Sequence, residues 1–338
     1  MSEKKCRLGS VGGSAVIEGV MMKNKDRYAL AVRMPDGKIK ATEDNCKSIG
    51  NKFKFFKLPI IRGVTNFIES MILSYKTLSM SAEAFGIEEE ETKFEKWLRE
   101  KFGKSILDIV MVFAMILGLA LGIGLFFFLP LWISTSVAGE ETKWYSTIIE
   151  GGIKIGIFVL YVYLVSLMKD IRRVFEYHGA EHKTIFCYEA GEELTPENVK
   201  KYSRFHPRCG TSFIFVMLLL SILVYAGVYS IPFMKENLFL KFASKIIILP
   251  LIVGIGYEFI RFAGRHDNAF TRALSAPGLW MQRITTREPD LEQIEVAITS
   301  LKCAIPEEFP EAESLLTVTE DTKETVTETT ETTENTAE

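Results

Sequence analysis

Histidine is scarce in this chain: four among 338 residues, all between positions 178 and 266. Cysteine is scarce as well. The five (Cys6, Cys46, Cys187, Cys209 and Cys303) are odd in number and scattered, which excludes a disulfide framework and fits a reducing compartment. The opening MSEKKCRLGSVGG has no apolar h-region, so no cleaved signal peptide is expected. Net charge is only −3, but the balance is uneven. From residue 307 onward Glu and Thr dominate and apolar residues almost vanish after Val318, so residues 306–338 read as a disordered acidic tail. The remainder is net basic, which suits an anionic membrane surface. Nothing marks nucleic-acid recognition, because the membrane accounts for the basic residues.

What the chain has in quantity is apolar sequence, 48% of residues with mean hydropathy +0.15, gathered into long runs. A spanning helix needs about 20 such residues. Four stretches qualify: Ile106 to near Ile133, interrupted by Pro130; Ile148 to Met168; Phe213 to Ile231; and Phe242 to Ile260. Lys154, Lys241 and Lys245 fall near span ends, where a long side chain snorkels to the headgroups. Trp132, Trp144 and Tyr145 suit an interfacial belt. Lys169, Arg172, Arg173, Lys183, Lys200, Lys201, Arg204 and Arg208 crowd the connection between spans two and three, and Arg261, Arg265, Arg272, Arg283 and Arg287 follow span four. The positive-inside rule therefore expects a multi-pass protein of the cell membrane with both termini, and every histidine, on the cytoplasmic side.

The expected fold class is mainly α: a polytopic helical membrane protein with about four transmembrane helices and a small N-terminal β unit. Residues 1–57 hold the β unit, with GGSAVIEGVMM and RYALAVRM as strands and Pro35-Asp36-Gly37 as a turn. Two hairpins alone are marginal, so this unit is expected to pack on another part of the chain. Glu18, inside an apolar run, is expected on the solvent face of an alternating strand. Residues 58–104 read as amphipathic helices. The stripe Ile61, Val64, Phe67, Ile68, Met71, Ile72, Tyr75 and Leu78 faces either a soluble core or the membrane interface. Residues 88–101, with Phe94, Trp97 and Leu98 on one face, lead into the first span. Spans one and two occupy 105–168, a His/Cys/Arg loop 169–212, spans three and four 213–262, and a C-terminal segment 263–305, in which Asp290 caps a helix to about Lys302.

The chemistry-bearing residues lie in and around that loop. In His178-Gly-Ala-Glu181-His182 a helix sets the two imidazoles one turn apart on one face, where they can hold one metal ion. The order His-x-x-Glu-His is the inverted zinc-protease pattern, in which the Glu acts as base toward an activated water. Gly179 argues against the helix this needs. A site with an open position needs a third protein ligand; the candidates are His206, Cys209, Glu258 and His266. His206-Pro-Arg-Cys209-Gly has the spacing for two ligands on one tight turn, or else His206 packs at the interface and Cys209 is a small buried hydrophobe. Glu258 has Arg261 one turn away as an ordinary ion-pair partner, Asp267 stands ready to orient His266, and Cys187 reads as structural. Arg172, Arg173, Arg204, Arg208 and Arg265 form the alternative site, a basic face for phosphate headgroups.

GGSAVIEGVMM, EYHGAEHKTI, SRFHPRCGTSF and PGLWMQRITTREPD resemble the bacterial YqhQ-like family, a domain of unknown function, over nearly the whole chain up to about Pro306. The resemblance implies a polytopic membrane protein of a family described as predicted metal-dependent enzymes, with His178, Glu181, His182, His206 and Cys209 as the implied site residues. It supplies no substrate. The leading expectation is a metal-dependent membrane hydrolase at the cytoplasmic face. His178 and His182 would bind a divalent transition metal, zinc being the natural candidate. His206 or Cys209 would complete the set and Glu181 would be the general base. The partners would be the membrane and an anionic lipid or lipid-linked substrate; no protein partner is indicated. The rival expectation is a non-enzymatic scaffold or assembly factor with a lipid-headgroup-binding basic site. A transporter fits less well, because no span carries an obvious chain of ionisable groups at mid-depth.

Overall fold

Strand-length apolar runs near the start fold into an antiparallel meander. β1 (Val11–Val16), β2 (Gly19–Asn24), β3 (Arg27–Arg33) and β4 (Ile39–Asn45) pair in that order. A computed structural model describes residues 7–46, 48, 50, 53–86, 105–138, 144–231, 238–263 and 269–316. The lead-in at 88–101, the pair Arg265 and His266, and tail residues 317–338 lie outside the described residues.

The register pairs Val16 with Gly19, so Glu18 sits in the β1–β2 turn, with φ 49°, and not on a strand face. Its carboxylate accepts from Arg173 and from the Tyr177 hydroxyl. The expected solvent-facing carboxylate is thus a half-buried tether between the sheet and a helix.

The helices are α1 (Ile61–Ala84), α2 (Ser105–Ile123), α3 (Leu129–Ala138), α4 (Trp144–Val165), α5 (Lys169–Ala190), α6 (Pro196–Lys200), α7 (Gly210–Val228), α8 (Leu238–Ala263), α9 (Ala269–Thr285) and α10 (Leu291–Ala304). Four stretches are long and apolar enough to cross a membrane: Phe113–Val137, Tyr145–Val165, Gly210–Val228 and Ala243–Phe262. The chain is a mainly helical polytopic protein. Pro130 does not interrupt the first span. A π-helical turn at Gly124–Phe128 joins α2 to α3, and the missing proline N–H falls where the hydrogen-bond ladder is already shifted.

Lys154 and Lys245 do not snorkel outward. Both turn toward Glu150: Lys245 Nζ donates to its carboxylate, and Lys154 Nζ lies 3.8 Å away. Glu150 and Lys245 are buried between α4 and α8. The side chain of Lys241 is outside the description.

The sheet is buried on both faces. Val20, Met22, Ala29 and Ala31 pack with Tyr177, Ala180 and Ile185 of α5 and with Ile294, Ala297 and Leu301 of α10. Val16, Met21, Leu30 and Val32 pack with Leu73 of α1. A strand sandwiched this way carries apolar residues without alternation, which is why GVMM reads as a continuous run. Helix α10 starts with a capping box formed by Asp290 and Gln293, and Ser300 donates to the Ala29 carbonyl at 3.0 Å. The N-terminal strands therefore share a core with the last long helix.

Helix α1 divides its loyalties. Gly63, Thr65, Glu69, Leu73, Thr77 and Ser81 are buried, whereas Ile68, Met71, Ile72, Tyr75 and Leu78 remain exposed. At its start it lies directly on α8: a Cβ at Gly63 would stand 3.0 Å from Gly254 Cα. Arg62 there makes a two-point ion pair with Glu258, and Asn66 donates to the Tyr257 hydroxyl at 2.6 Å.

Candidate metal centre

The face of α5 that carries His178 and His182 points at the start of α7. The two ring centroids are 4.4 Å apart, as helical neighbours four residues apart require. The helix survives Gly179 because the glycine is needed. A Cβ there would come within 2.0 Å of the Arg287 carbonyl oxygen, so the close passage of residues 285–289 demands a residue without a side chain.

Cys209 is the N-cap of α7, with extended backbone (φ −76°, ψ 145°), and its sulfur accepts from the Thr211 N–H. His178 Nε2 lies 3.2 Å from Cys209 Sγ. One ligand atom each from His178, His182 and Cys209 fall within 4.8 Å of one another. Both imidazoles are oriented from behind. His178 Nδ1 lies 2.8 Å from the Thr285 carbonyl oxygen and His182 Nδ1 lies 2.6 Å from that of Arg204. A carbonyl can only accept, so the hydrogen-bond network assigns a proton to each Nδ1. In the neutral rings the lone pairs then sit on Nε2, the second-sphere arrangement typical of metal-bound histidine. Among the described residues, His182 Nε2 and Glu181 Oε2 are buried without a hydrogen-bond partner, a cost proteins seldom carry without a ligand to relieve it. Two imidazoles and a thiolate suit a zinc-class ion, and three protein ligands leave one position open.

The electrostatics agree. Burial lowers the His178 imidazolium, but the adjacent Cys209 sulfur outweighs it and raises the group to about 9. Burial likewise raises the Cys209 thiol, yet His178 and His182 bring it well below its ordinary range. Burial raises the Glu181 carboxyl against the opposing pull of the two histidines. Its side chain lies over the sheet: a Cβ at Gly13 would stand 2.9 Å from Glu181 Cγ and Oε1.

His206 is beside this group but not in it. Its ring lies 5.4 Å from that of His182 and 4.6 Å from Phe186, and its Nδ1 accepts from the Arg208 N–H. Burial, with the Arg208 guanidinium nearby, pushes it down to about 2, so it stays neutral. The third donor is thus Cys209. Glu258 is held in a two-point ion pair by Arg62, with Arg261 adding only a weaker attraction, and it is not one of the three grouped donors. Cys187 contacts the Glu193 carbonyl at 3.6 Å, and burial pushes its thiol up to about 11, a structural thiol. Among the described residues, the arginines of the alternative basic face each have a local partner. Arg173 pairs with Glu18, Arg172 with Glu176 and Arg208 with Glu189, while Arg204 lies over the Phe205 ring at 5.0 Å.

Gln282 of α9 falls within the PGLWMQRITTREPD stretch without being singled out by it, yet it fixes the loop that bears His206. It accepts from the His206 N–H at 2.7 Å and donates to the His206 carbonyl at 2.7 Å and the Ser212 hydroxyl at 2.8 Å. Gln282→Ala strands buried donors and acceptors, each at about 1–3 kcal/mol. The expected result is a clear fall in thermal stability; unchanged melting in detergent would show the clamp to be dispensable.

A family model described as "Protein of unknown function (DUF1385)" matches residues 58–307. The "Uncharacterized protein YqhQ" of Bacillus subtilis (strain 168) is 34% identical over 293 residues, covering 86% of this chain and 90% of that protein. No solved structure matches.

Proposed function

The chain belongs to the DUF1385 family, whose description carries no activity, and from its own residues we propose that it is a metal-dependent hydrolase working at the membrane surface. One observation carries the reading: His178, His182 and Cys209 present three donor atoms within 4.8 Å, with both histidines turned by backbone carbonyls to aim Nε2 inward. A zinc-class ion in that set would supply Lewis acidity, polarising a carbonyl or phosphoryl oxygen and acidifying water. Glu181 would do the proton work. Its carboxyl is raised by burial, toward the range where one group can take a proton from water and return it to a leaving atom. Thr285 and Arg204 hold the rings through their carbonyls, and Gln282 holds the turn that bears Cys209. We assign the site to the cytoplasmic side because the basic connections flank it. The scaffold alternative draws less support, because three of its arginines are already neutralised by acids.

The test is metal content in untagged protein purified in mild detergent. The expected result is stoichiometric zinc that is lost with His178→Ala, His182→Ala or Cys209→Ser, a larger effect than the ~10–100-fold that outer-sphere partners contribute. Glu181→Gln should keep the metal and lose hydrolysis. Affinity should also rise with pH. Below about 9 the His178 ring is protonated and must release a proton to bind an ion, so affinity gains up to about tenfold per pH unit until that point and then levels. Metal-free protein with normal folding, unaffected by these substitutions, would end the proposal.

A further inference from the structure

The three donors line a much larger cavity, about 890 Å³ in volume. Its lining joins His178, Glu181, His182 and Cys209 to Lys23 and Lys25 from the sheet. It also includes Phe67 of α1, Phe213 and Ile214 of α7, and Tyr257 and Ile260 of α8. These apolar walls meet one another: the Phe67 and Phe213 ring centroids are 5.7 Å apart, and Asn66, next to Phe67, donates to the Tyr257 hydroxyl. Helices α7 and α8 contain two of the spans, so the apolar part of the lining is built from membrane helices. The outer surface of α1 beside it is apolar as well, with Ile68, Ile72 and Tyr75 exposed, which suits a helix bathed in lipid.

The basic charge of the lining is not fully paired. Arg208 is engaged by Glu189, but among the described residues neither Lys23 nor Lys25 has an acidic partner. A site for a small water-soluble molecule has no use for an apolar slot between membrane helices. A site for a neutral lipid has no use for two such ammonium groups in its lining.

We infer that the cavity takes an anionic phospholipid, its phosphate toward Lys23 and Lys25 and the metal centre, its acyl chain between α1 and the α7–α8 pair. The substrate class named here rests on the hydrolase reading, but occupancy of the slot can be measured without any turnover. Lipid enters sideways from the bilayer, with no need for the chain to cross water. Ser70, exposed on α1 and lining the slot, is the place to block it, since a tryptophan there fills the slot and leaves the sheet core alone.

The experiment uses the full chain in phosphatidylcholine nanodiscs doped with phosphatidic acid bearing a photoreactive acyl chain. Adducts are mapped by mass spectrometry and zinc is quantified in the same samples. The expected adducts fall on the slot around Phe67, Phe213 and Ile260. Ser70→Trp should remove most of them with zinc content unchanged. Lys23→Glu combined with Lys25→Glu should weaken phosphatidic acid labelling roughly tenfold while a photoreactive diacylglycerol is unaffected. Labelling spread evenly over the lipid-facing helices and indifferent to Ser70→Trp would overturn the inference, as would equal competition by soluble glycerol phosphate or by an apolar peptide. Slot adducts in zinc-free protein would uphold the lipid site and sink the metal reading; zinc without slot adducts would do the reverse.

Discussion

Gly179→Ala is expected to destabilise the protein and, on the metal-dependent reading proposed above, to loosen zinc held by His178, His182 and Cys209. Helix propensity taken alone forecasts the opposite, since alanine in a helix interior gains about 1 kcal/mol over glycine. Packing decides the sign. The new methyl would lie 2.0 Å from the Arg287 carbonyl oxygen and 3.3 Å from Pro289 Cδ, and the first of these is backbone with no rotamer to yield. Residues 285–289 must therefore retreat from α5. That movement costs at least the ~1–3 kcal/mol usual for overpacking, and it withdraws the Thr285 carbonyl that orients His178. The measurement is thermal unfolding of the purified protein with zinc retention followed in parallel. A variant as stable as the wild type and fully loaded would mean that the close approach is soft and does not hold the centre.

Glu150→Gln is the second large effect. Glu150 faces two ammonium groups, Lys245 and Lys154, between apolar helices. Removing the one acid leaves two cations buried and mutually repelling. Breaking a buried pair in this way costs about 3–5 kcal/mol, enough to dominate the stability of an ordinary domain. Adding Lys245→Met to the same chain should recover much of the loss, because an apolar replacement removes the stranded charge along with its partner. Thermal and denaturant unfolding of the single and double variants decide it. If the single variant is neutral, or the second substitution deepens the loss, the buried-pair account is wrong.

The elements that were legible in the sequence are those whose signal is local. The four spans are long apolar runs, the sheet is marked by strand-like runs and a Pro-Asp-Gly turn, and the His178/His182 pair follows from helical spacing alone. What stayed hidden depends on neighbours far along the chain. Glu258 invites pairing with Arg261 because both lie on one helix, but its partner Arg62 comes from a different element 196 residues away. Lys154 and Lys245 read as snorkelling residues because sequence gives their distance from a span end and not the side of the helix facing the bundle. Glu18 looked like a strand residue because a two-residue turn between apolar strands leaves no gap in the apolar run. Gly179 looked like an argument against the helix, when it records the passage of another segment's backbone. The choice of Cys209 over His206 required knowing which of two residues three apart the cap geometry turns toward α5. Gln282 lies within the PGLWMQRITTREPD stretch, but an amide is neither a metal ligand nor an acid–base group, so the stretch does not single it out.

The sheet shares its core with α10, and this bears on the order of synthesis. The strands leave the ribosome first, yet the helix that covers one of their faces is made about 250 residues later, a delay of roughly 12–50 s at ordinary elongation rates. Through that interval the apolar underside of β2 and β3 can be covered in part by α5, whose Tyr177, Ala180 and Ile185 share that core, while four segments are being threaded into the bilayer. The rest of that face stays open until the carboxyl end arrives to close it.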